Sequence, residues 1–520
     1  MSRNAREERG SPLDRRSFLT GAAALGAAAG TLTSGAAQAE VRFPKEIGKY
    51  GAPARNGFDV DTNRSENTLY DCEVEGDIPD DLNGAFYRVG PDAQYPKPAG
   101  LEYDIGFDGE GHASVFHIAN SHVDYTSRWI RNPRWQAQHE ARRSLFGVYR
   151  NRYTDDPSVR NVSRATQNTQ VWHHNGRILA MKEDSMPAAL DPRTLETLDA
   201  DYRFDGGIKG ETFTAHPKND SHTGNLVAFG YEAKGLGSRD VEVFEISPQG
   251  KTLWSAWVQA PYTSEIHDFA VTEKHIVFVV YPLAYIGEEK MRQGGTHWAW
   301  DPTKDTYLGV LRRGGDGKDI RWVKGPQMMC PHTMGCWTDG NRVFVDMDGS
   351  DGNTFPIFSP FDPQKASSKL RRLSLDLTKK TPRGFDCQLL YPQHGGALSR
   401  QDDRYHTVPY RYGFQIGGGP DGAGWLRMDH QTGKVDVFNP GPDAQLSEMC
   451  FVPRRKGAPE GDGYLVGVCS RLKENRRSDL LIVDAQRLSE GPIATVKLPY
   501  RAAPQVHGFW VPGDQLNPAG

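Results

Sequence analysis

The sequence has few cysteines, little net charge and no long hydrophobic run. Six cysteines are scattered along 520 residues without a CxxC pair, which excludes a dense disulfide framework. The sequence is compatible with one or two disulfides, but most of the cysteines are expected to be small buried side chains. The net charge is −4 and no basic stripe carries interleaved aromatics, so nucleic acid is not expected as a partner. Stable membrane insertion is not expected either.

The first 39 residues look like a targeting segment. Arg15 and Arg16 stand just before Phe18 and Leu19, and a weakly apolar Ala/Gly stretch follows at 21–30. A small-x-small site at 37–39 completes the pattern of a twin-arginine signal peptide. We therefore expect a mature domain at 40–520, either periplasmic or secreted; the alternative is a disordered N-terminal tail.

The mature chain has the pattern of a large all-β protein. It contains 56 glycines and 34 prolines, and short β-branched or aromatic runs such as residues 276–280 alternate with turn residues. Such a series of antiparallel pairs needs a closed or radially repeated sheet to hide its edges, and a single β-propeller domain is the economical solution. One amphipathic helix is predicted, at residues 134–146.

Four histidines stand at predicted strand ends or turns, far apart in the chain. Because each blade of a propeller presents its inner strand to the axis, these rings can converge there and bind one metal ion. Four neutral imidazoles suit iron, copper, zinc or nickel, and in an octahedral frame they leave two open positions. The four candidates are His216, His267, His332 and His507.

Two glutamates beside strands could orient such rings. A ligating histidine donates its second ring N–H to an acceptor, often a carboxylate, and Glu183 and Glu448 could serve. The alternative for each is a solvated charge at a strand edge. The other histidines lie mostly in polar contexts and are expected at the surface.

Several motifs in fixed order resemble the carotenoid cleavage oxygenase family, and within it the lignostilbene dioxygenase-like branch. The match runs over nearly the whole mature chain, and the order and spacing of the motifs make it specific. The motifs are Gly84-Ala-Phe-Tyr-Arg-Val-Gly-Pro91, Phe107-Asp-Gly-Glu-Gly111, Ala215-His-Pro-Lys218, His267-Asp-Phe269, Phe451-Val-Pro-Arg454, Asp462-Gly-Tyr464, Arg477-Ser-Asp-Leu-Leu-Ile-Val-Asp-Ala485 and His507-Gly508.

The resemblance implies a seven-bladed β-propeller with a loop-and-helix dome over one face. It implies Fe(II) held by the four histidines, Glu183 and Glu448 as their carboxylate partners, and cleavage of an alkene by dioxygen into two carbonyl products. The family's third such glutamate has no counterpart here, because Ala397 or one of its neighbours occupies the corresponding position. This puts iron occupancy and activity in doubt unless Asp402 or a water substitutes.

The same resemblance places the phenol-binding residues of the stilbene branch on Phe107, Tyr149 and Lys182. The lysine and tyrosine would favour a phenolate, which pushes electron density into the double bond, and the phenylalanine would stack on a ring. Lys182 and Glu183 are adjacent, however, and an ideal strand would point them to opposite faces. The alternative for Lys182 is a surface lysine.

Three functions stay open at this stage. The first is Fe(II)-dependent cleavage of a hydroxystilbene or lignin-derived phenolic, with catalytic Tyr149 and Lys182. The second is cleavage of a carotenoid or apocarotenoid by the same machinery. The third is a non-enzymatic propeller whose metal site is impaired. A monomer and a homodimer are both compatible with the sequence.

Overall fold

The structure, a computed structural model, describes residues 65–97, 105–380, 382–474, 477–503 and 505–516. All of these lie in one compact unit, residues 42–520. The predicted leader lies outside the described residues. Across the described ranges, no helix combines the length and apolar character that crossing a bilayer requires.

Short strands are the main regular structure of the described chain. The first sixteen are β1 (Asn67–Leu69), β2 (Glu73–Gly76), β3 (Gly84–Pro91), β4 (Gly111–Ala119), β5 (His122–Trp129), β6 (Gln170–His174), β7 (Arg177–Met181), β8 (Ala188–Leu190), β9 (Thr197–Asp199), β10 (Lys218–Asn219), β11 (Leu226–Tyr231), β12 (Asp240–Ile246), β13 (Thr252–Gln259), β14 (Phe269–Val271), β15 (His275–Val280) and β16 (Leu283–Tyr285). The others are β17 (Trp298–Trp300), β18 (Thr306–Arg312), β19 (Arg321–Gly325), β20 (Thr333–Asp339), β21 (Arg342–Gly349), β22 (Lys369–Asp376), β23 (Asp386–Leu389), β24 (Gly395–Gln401), β25 (Tyr412–Gly419), β26 (Gly422–Asp429), β27 (Val435–Phe438), β28 (Ala444–Pro453), β29 (Gly463–Arg471), β30 (Ser478–Asp484), β31 (Pro492–Lys497) and β32 (His507–Pro512).

Helices are few and short. The α-helices are α1 (Pro133–Ala141), α2 (Glu288–Arg292) and α3 (Gly513–Leu516). Single 3₁₀ turns lie at Arg152–Thr154, Pro157–Val159, Asp403–Tyr405 and Leu488–Glu490.

Seven antiparallel sheets form the blades of a seven-bladed β-propeller, as predicted. Five blades have four strands each: β6 to β9, β10 to β13, β14-β15-β18-β19, β20 to β23, and β24 to β27. The last two have five, β28-β29-β30-β31-β2 and β32-β3-β4-β5-β1, so strands from the start of the chain complete both. The pairing of β32 with β3 runs from His507 opposite Val89 to Pro512 opposite Gly84 and closes the ring.

The first strand of each blade lies at the propeller axis. Contacts of β14 with β20, β20 with β24, β24 with β28, β28 with β32 and β32 with β6 arrange these strands around a common centre. The hydrophobic core fills the spaces between blades, which explains the continuous apolar run of β15. Residues 276–280 of that strand are all buried, because neighbouring blades cover both faces.

Segments between the strands build a dome over one face, consisting of residues 105–110, 130–169, 281–305 and 350–368. Within it, Asn151 donates to the carbonyls of Met291 and Gly295, and the Phe107 ring meets the rings of Tyr149 and Phe355 edge-on. The Asn151 bonds join segment 130–169 to segment 281–305. The Phe107 ring joins segment 105–110 to both 130–169 and 350–368.

Helix α1 is shorter than the sequence predicts. Asn132 caps its first turn by accepting from the Trp135 N–H, and Pro133 occupies the first helical position. Arg142 then adopts a left-handed conformation (φ 52°) that ends the helix. The predicted continuation to residue 146 is therefore wrong, and Gln138 instead accepts from the Leu145 N–H as the chain turns back.

A buried ion cluster joins α1 to the turn that carries Phe107. Arg134 contacts Asp108 at 3.0 Å and Glu110 at 2.9 Å, and Lys97 reaches Asp108 at 2.6 Å. The three side chains of the Arg134 pairs are 2–3% exposed, so solvent does not screen them. The cluster fixes the backbone on which Phe107 is presented.

Replacing Arg134 with methionine should destabilise the fold. Glu110 would lose its cation and Asp108 would keep only Lys97, and removing one partner of a buried pair costs about 3–5 kcal/mol. Arg143→Met is the matched control, because Arg143 pairs with Asp156 while 51% exposed, and should cost about 0–1 kcal/mol. Urea unfolding followed by tryptophan fluorescence measures both; equal losses would show that the cluster is not what stabilises this turn.

Candidate metal centre and substrate cavity

The four predicted histidines all stand where an axial strand begins. His216 and His267 each precede their strand by two residues, His332 immediately precedes β20, and His507 is the first residue of β32. His216 and His507 are buried, and the side chains of His267 and His332 are 17% and 13% exposed. The backbone of four different blades therefore directs these rings to one point near the axis.

The ring nitrogens converge closely. One ligand atom from each of the four histidines lies within 4.8 Å of the others. The Nε2 atom of His267 is 3.1 Å from that of His216 and 3.2 Å from that of His332. Metal–nitrogen bonds of about 2.1 Å at right angles would separate adjacent nitrogens by about 3.0 Å. The spacing therefore fits nitrogens arranged around one ion.

Carboxylates determine which nitrogen of two rings faces the centre. Glu448 accepts from His507 Nδ1 at 2.9 Å, and its second oxygen accepts from the Gly508 N–H at 2.9 Å. Glu183 is paired with His267 Nδ1. Both rings thus carry their proton on Nδ1 and turn a bare Nε2 inward, which is the tautomer a metal ligand needs.

The charges of the set favour a bound cation. Burial raises the pKa of the Glu183 and Glu448 carboxyls, but the facing imidazoles lower it to about 2 in both, so both are ionised. Burial and three neighbouring imidazoles hold the pKa of His216 well below its usual value. Burial lowers the pKa of His267 while Glu183 raises it, to about 9. With a metal ion bound this Nε2 is bare; without one, a second proton on it can bridge to only one of its two neighbours, whereas a metal ion contacts all four rings.

Ala397 stands where the resemblance places a third glutamate, and Asp402 does not take over that role. Asp402 caps the turn at Asp403–Tyr405 and pairs with Arg404 at 2.5 Å. Ala397 and Leu398 instead line a cavity, at a bulge where β24 loses its register with β25. Arg400, from the same bulge, donates to Glu448 at 3.2 Å and helps to position it.

A cavity of about 430 Å³ lies against the histidines under the dome. Its volume falls in the range of small-molecule sites, about 300–1,000 Å³, and its wall is mainly apolar. The lining residues are Phe107, Tyr149, Asn168, Thr169, Lys182, Glu183, Glu265, His267, Pro331, His332, Thr354, Phe355, Ala366, Ser368, Ala397, Leu398, Val506 and His507. All three residues predicted to bind substrate are among them.

Lys182 and Glu183 both reach the site because β7 has already ended at Met181. The alternation of a strand therefore does not apply to them. Lys182 is 2% exposed, so it is not a surface lysine. Its Nζ donates to the Phe107 carbonyl at 3.1 Å and to Asn168 Oδ1 at 3.2 Å, which leaves one of its three N–H groups for a ligand.

Lys182 is also held between aromatic rings. Its Nζ lies 5.1 Å from the centre of the Phe107 ring and 5.2 Å from that of Tyr149. Burial lowers the pKa of Lys182, opposed by the nearby carboxylates. Burial also raises the pKa of Tyr149 well above its usual value, so its hydroxyl stays protonated and can donate a hydrogen bond.

Several polar residues of this cavity were not predicted from the sequence, among them Asn168 and Glu265. Asn168 orients Lys182 and also donates to the Phe107 and Gly109 carbonyls. Glu265, two residues before His267, accepts from the Tyr281 hydroxyl at 2.9 Å, and burial raises the pKa of its carboxyl. Neither residue type stands out in sequence, since only the fold brings them to the cavity.

Behind Tyr149 lies a buried network that corrects a second expectation. His297, expected at the surface, is fully buried and contacts Glu232 at 2.9 Å. Glu232 also pairs with Arg150 at 2.6 Å, and Arg150 stacks on the Tyr231 and Trp298 rings. The network immobilises the backbone next to Tyr149.

All six cysteines are free thiols, and five of them are buried as expected.

A second, polar pocket also reaches three of the histidines. It holds only about 30 Å³, and Lys218 and Asp268 form an ion pair of 2.7 Å in its wall. A space of this size accommodates about one water molecule. An organic ligand must therefore use the cavity under the dome.

Comparison with known proteins matches residues 59–512 to the family of the retinal pigment epithelial membrane protein, RPE65. This chain belongs to that family. It is 38% identical to isoeugenol monooxygenase of Pseudomonas putida, over 86% of this chain and 95% of the relative. It is also 38% identical to isozyme III of lignostilbene-alpha,beta-dioxygenase from Sphingomonas paucimobilis, over 87% and 96% of the two chains.

Solved structures agree with this assignment. The crystal structure of Pseudomonas brassicacearum lignostilbene dioxygenase superposes with a TM-score of 0.85 at 37% sequence identity. The superposition covers 91% of this chain and 100% of that chain. The chain is thus an oxygenase of the carotenoid cleavage oxygenase family, whose chemistry is oxidative cleavage of a carbon–carbon double bond. A non-enzymatic propeller is not supported.

His267→Ala should abolish metal binding, because it removes the ring whose Nε2 lies closest to two of the others. The measurement is metal content per chain after anaerobic loading with ferrous iron and desalting. His122→Ala is the control, since that ring pairs with Asp71 at the surface. A His267→Ala protein with full metal content would remove His267 from the ligand set.

Proposed function

We propose that this oxygenase uses Fe(II) and dioxygen to cleave the interphenyl double bond of a hydroxystilbene or a related lignin-derived phenolic, giving two carbonyl products. The observation that carries the proposal is the pairing of Lys182 and Tyr149 in an apolar cavity that adjoins the four histidines. Bound there, the ferrous ion would activate dioxygen next to the substrate double bond.

The four imidazoles suit this ion. They are neutral nitrogen donors, and no carboxylate or thiolate joins them within the ligand group. Four protein ligands leave two positions of an octahedron open. The names of two relatives, which refer to isoeugenol and lignostilbene, support a phenolic substrate with a conjugated side-chain double bond.

Lys182 and Tyr149 would recognise the phenolic oxygen. The remaining N–H of the lysine and the hydroxyl of the tyrosine can both donate to it, and the positive charge favours the phenolate. A phenolate releases electron density through the ring into the conjugated double bond. That makes the alkene carbons easier to oxidise, which is the contribution of these two side chains to the reaction.

The aromatic and apolar lining would orient the rings and exclude water. Phe107 is held edge-on by Tyr149 and Phe355 at 5.2 and 5.9 Å, so its face is fixed relative to the cavity. Leu398 and Val506 cover the side near the histidines. A dry cavity strengthens the interaction between Lys182 and an anionic oxygen.

An apocarotenoid is the alternative substrate. Such a molecule offers no acidic hydroxyl to Lys182. The free-energy cost of burying the lysine charge would then not be offset by an anionic substrate oxygen. Lys182 therefore favours the phenolic class.

Lys182→Met should slow cleavage of a 4-hydroxystilbene by about 100-fold, within the range of general acid–base effects. The same substitution should change cleavage of the 4-methoxy analogue much less, because an ether cannot form a phenolate. Product formation measured by mass spectrometry gives kcat/KM for both substrates, and Lys324→Met at the surface serves as the control. Equal losses on the two substrates would reject the phenolate role, and cleavage of apocarotenoids alone would reject the substrate class.

We also propose that the leader exports the folded protein by the twin-arginine route to the periplasm or beyond. The adjacent Arg15 and Arg16 support this, together with the Ala/Gly stretch that follows. Changing both arginines to lysine should retain a full-length precursor in the cytoplasm. Cell fractionation with immunoblotting checks it; a mature, periplasmic double variant would contradict the twin-arginine route.

A further inference from the structure

One of the four rings has a carboxylate neighbour that the family pattern does not supply. His332 Nδ1 is buried and lacks a hydrogen bond of standard geometry among the described residues. The carboxylate facing it is that of Asp348, whose Oδ2 lies 3.4 Å away. His267 and His507 each have a glutamate in the corresponding place.

Asp348 is firmly placed beside His332. It lies in β21, next to β20, and is 0% exposed. Its Oδ1 accepts from the His332 backbone N–H at 3.1 Å, and its own N–H donates to the His332 carbonyl at 3.0 Å. These reciprocal bonds fix the position of the carboxylate relative to the ring.

The charge of Asp348 has no other counter-ion among the described residues. Asp346, two residues earlier and equally buried, pairs with Arg372 at 2.8 Å and accepts from Tyr410. Among the described residues, Asp348 forms an ion pair with neither an arginine nor a lysine. Its remaining contact is the Ser399 N–H, which lies 3.4 Å from Oδ2. A buried carboxylate without a cation is costly, so its charge must be balanced by the imidazole and the ion that it ligates.

We propose that Asp348 is the positioning residue of His332 and replaces the glutamate that is absent at Ala397. The inference rests on the proposed metal centre. The carboxylate comes from the neighbouring strand of the same blade, whereas Ala397 belongs to the next blade. A small rotation of the ring brings Nδ1 within hydrogen-bond range of Oδ2, since 3.4 Å exceeds the usual limit by little. With alanine at 397, the freed space is added to the substrate cavity.

The test is cobalt(II) titration of the metal-free, full-length protein, followed by the visible d–d spectrum. Asp348→Asn keeps the shape and one acceptor oxygen, for the backbone N–H of His332, but removes the charge and the acceptor that faces the ring. It should weaken cobalt affinity about 10-fold, the lower end of the 10–100-fold loss that follows when a partner of a ligating histidine is changed, and alter the spectrum. Asp402→Asn, an equally buried acid that pairs with Arg404, should change neither.

A second variant tests the replacement directly. Adding Ala397→Glu to Asp348→Asn returns a carboxylate to this side of the site and should recover affinity and spectrum. Unchanged affinity and spectrum in Asp348→Asn would overturn the role of Asp348 while leaving the proposed function intact. A wild-type protein that binds no cobalt would overturn the metal centre itself.

If Asp348→Asn does not fold, the wild-type protein decides the matter. With ¹⁵N-labelled histidine and zinc in the site, three ring Nδ1–H protons should show the downfield shift of a carboxylate-bonded imidazole. Only two such protons, those of His267 and His507, would overturn the inference.

Discussion

The mutual approach of the imidazole nitrogens at the propeller axis is the constraint on which the site depends. Bare nitrogens 3.1–3.2 Å apart repel each other unless a cation or a proton lies between them. The fold can hold them there because each ring stands at or just before the start of a different axial strand, and the closure of β3 on β32 prevents the blades from moving apart. The stability of the ring of blades is thus what keeps the ligands together.

The dome performs a separate task, which is to hold the cation of Lys182 at an apolar cavity. A buried lysine must be compensated, and Lys182 is compensated by a carbonyl, an amide oxygen and two aromatic faces rather than by a carboxylate. None of these neutralises its charge. The arrangement therefore keeps the positive charge available for an anionic ligand, and the Arg134 cluster holds the turn that supplies one of the acceptors.

Sequence patterns predicted the parts of this design that depend on local signals. Runs of β-branched residues gave the strands, and histidines at strand starts gave the candidate ligands. The predicted end of α1 was wrong because the helix ends at a left-handed arginine, Arg142. An arginine does not signal a helix end in the sequence as a glycine does. Asp348 could not be distinguished from Asp346, since both belong to one strand, lie two residues apart and are fully buried. Only tertiary contacts show that one faces an arginine and the other a ligand histidine.

Charge balance gives a physical reason for a cation at the four histidines. The three carboxylates that face ring nitrogens are Glu183, Glu448 and Asp348, and Arg400 is the cation that contacts one of them. Arg400 also pairs with Asp403 at 3.3 Å, so its charge is shared and at least two negative charges remain, which a bound cation offsets. In the proposed function that cation is Fe(II), and Lys182 would compensate a phenolate separately, so that substrate binding would not disturb the balance at the histidines.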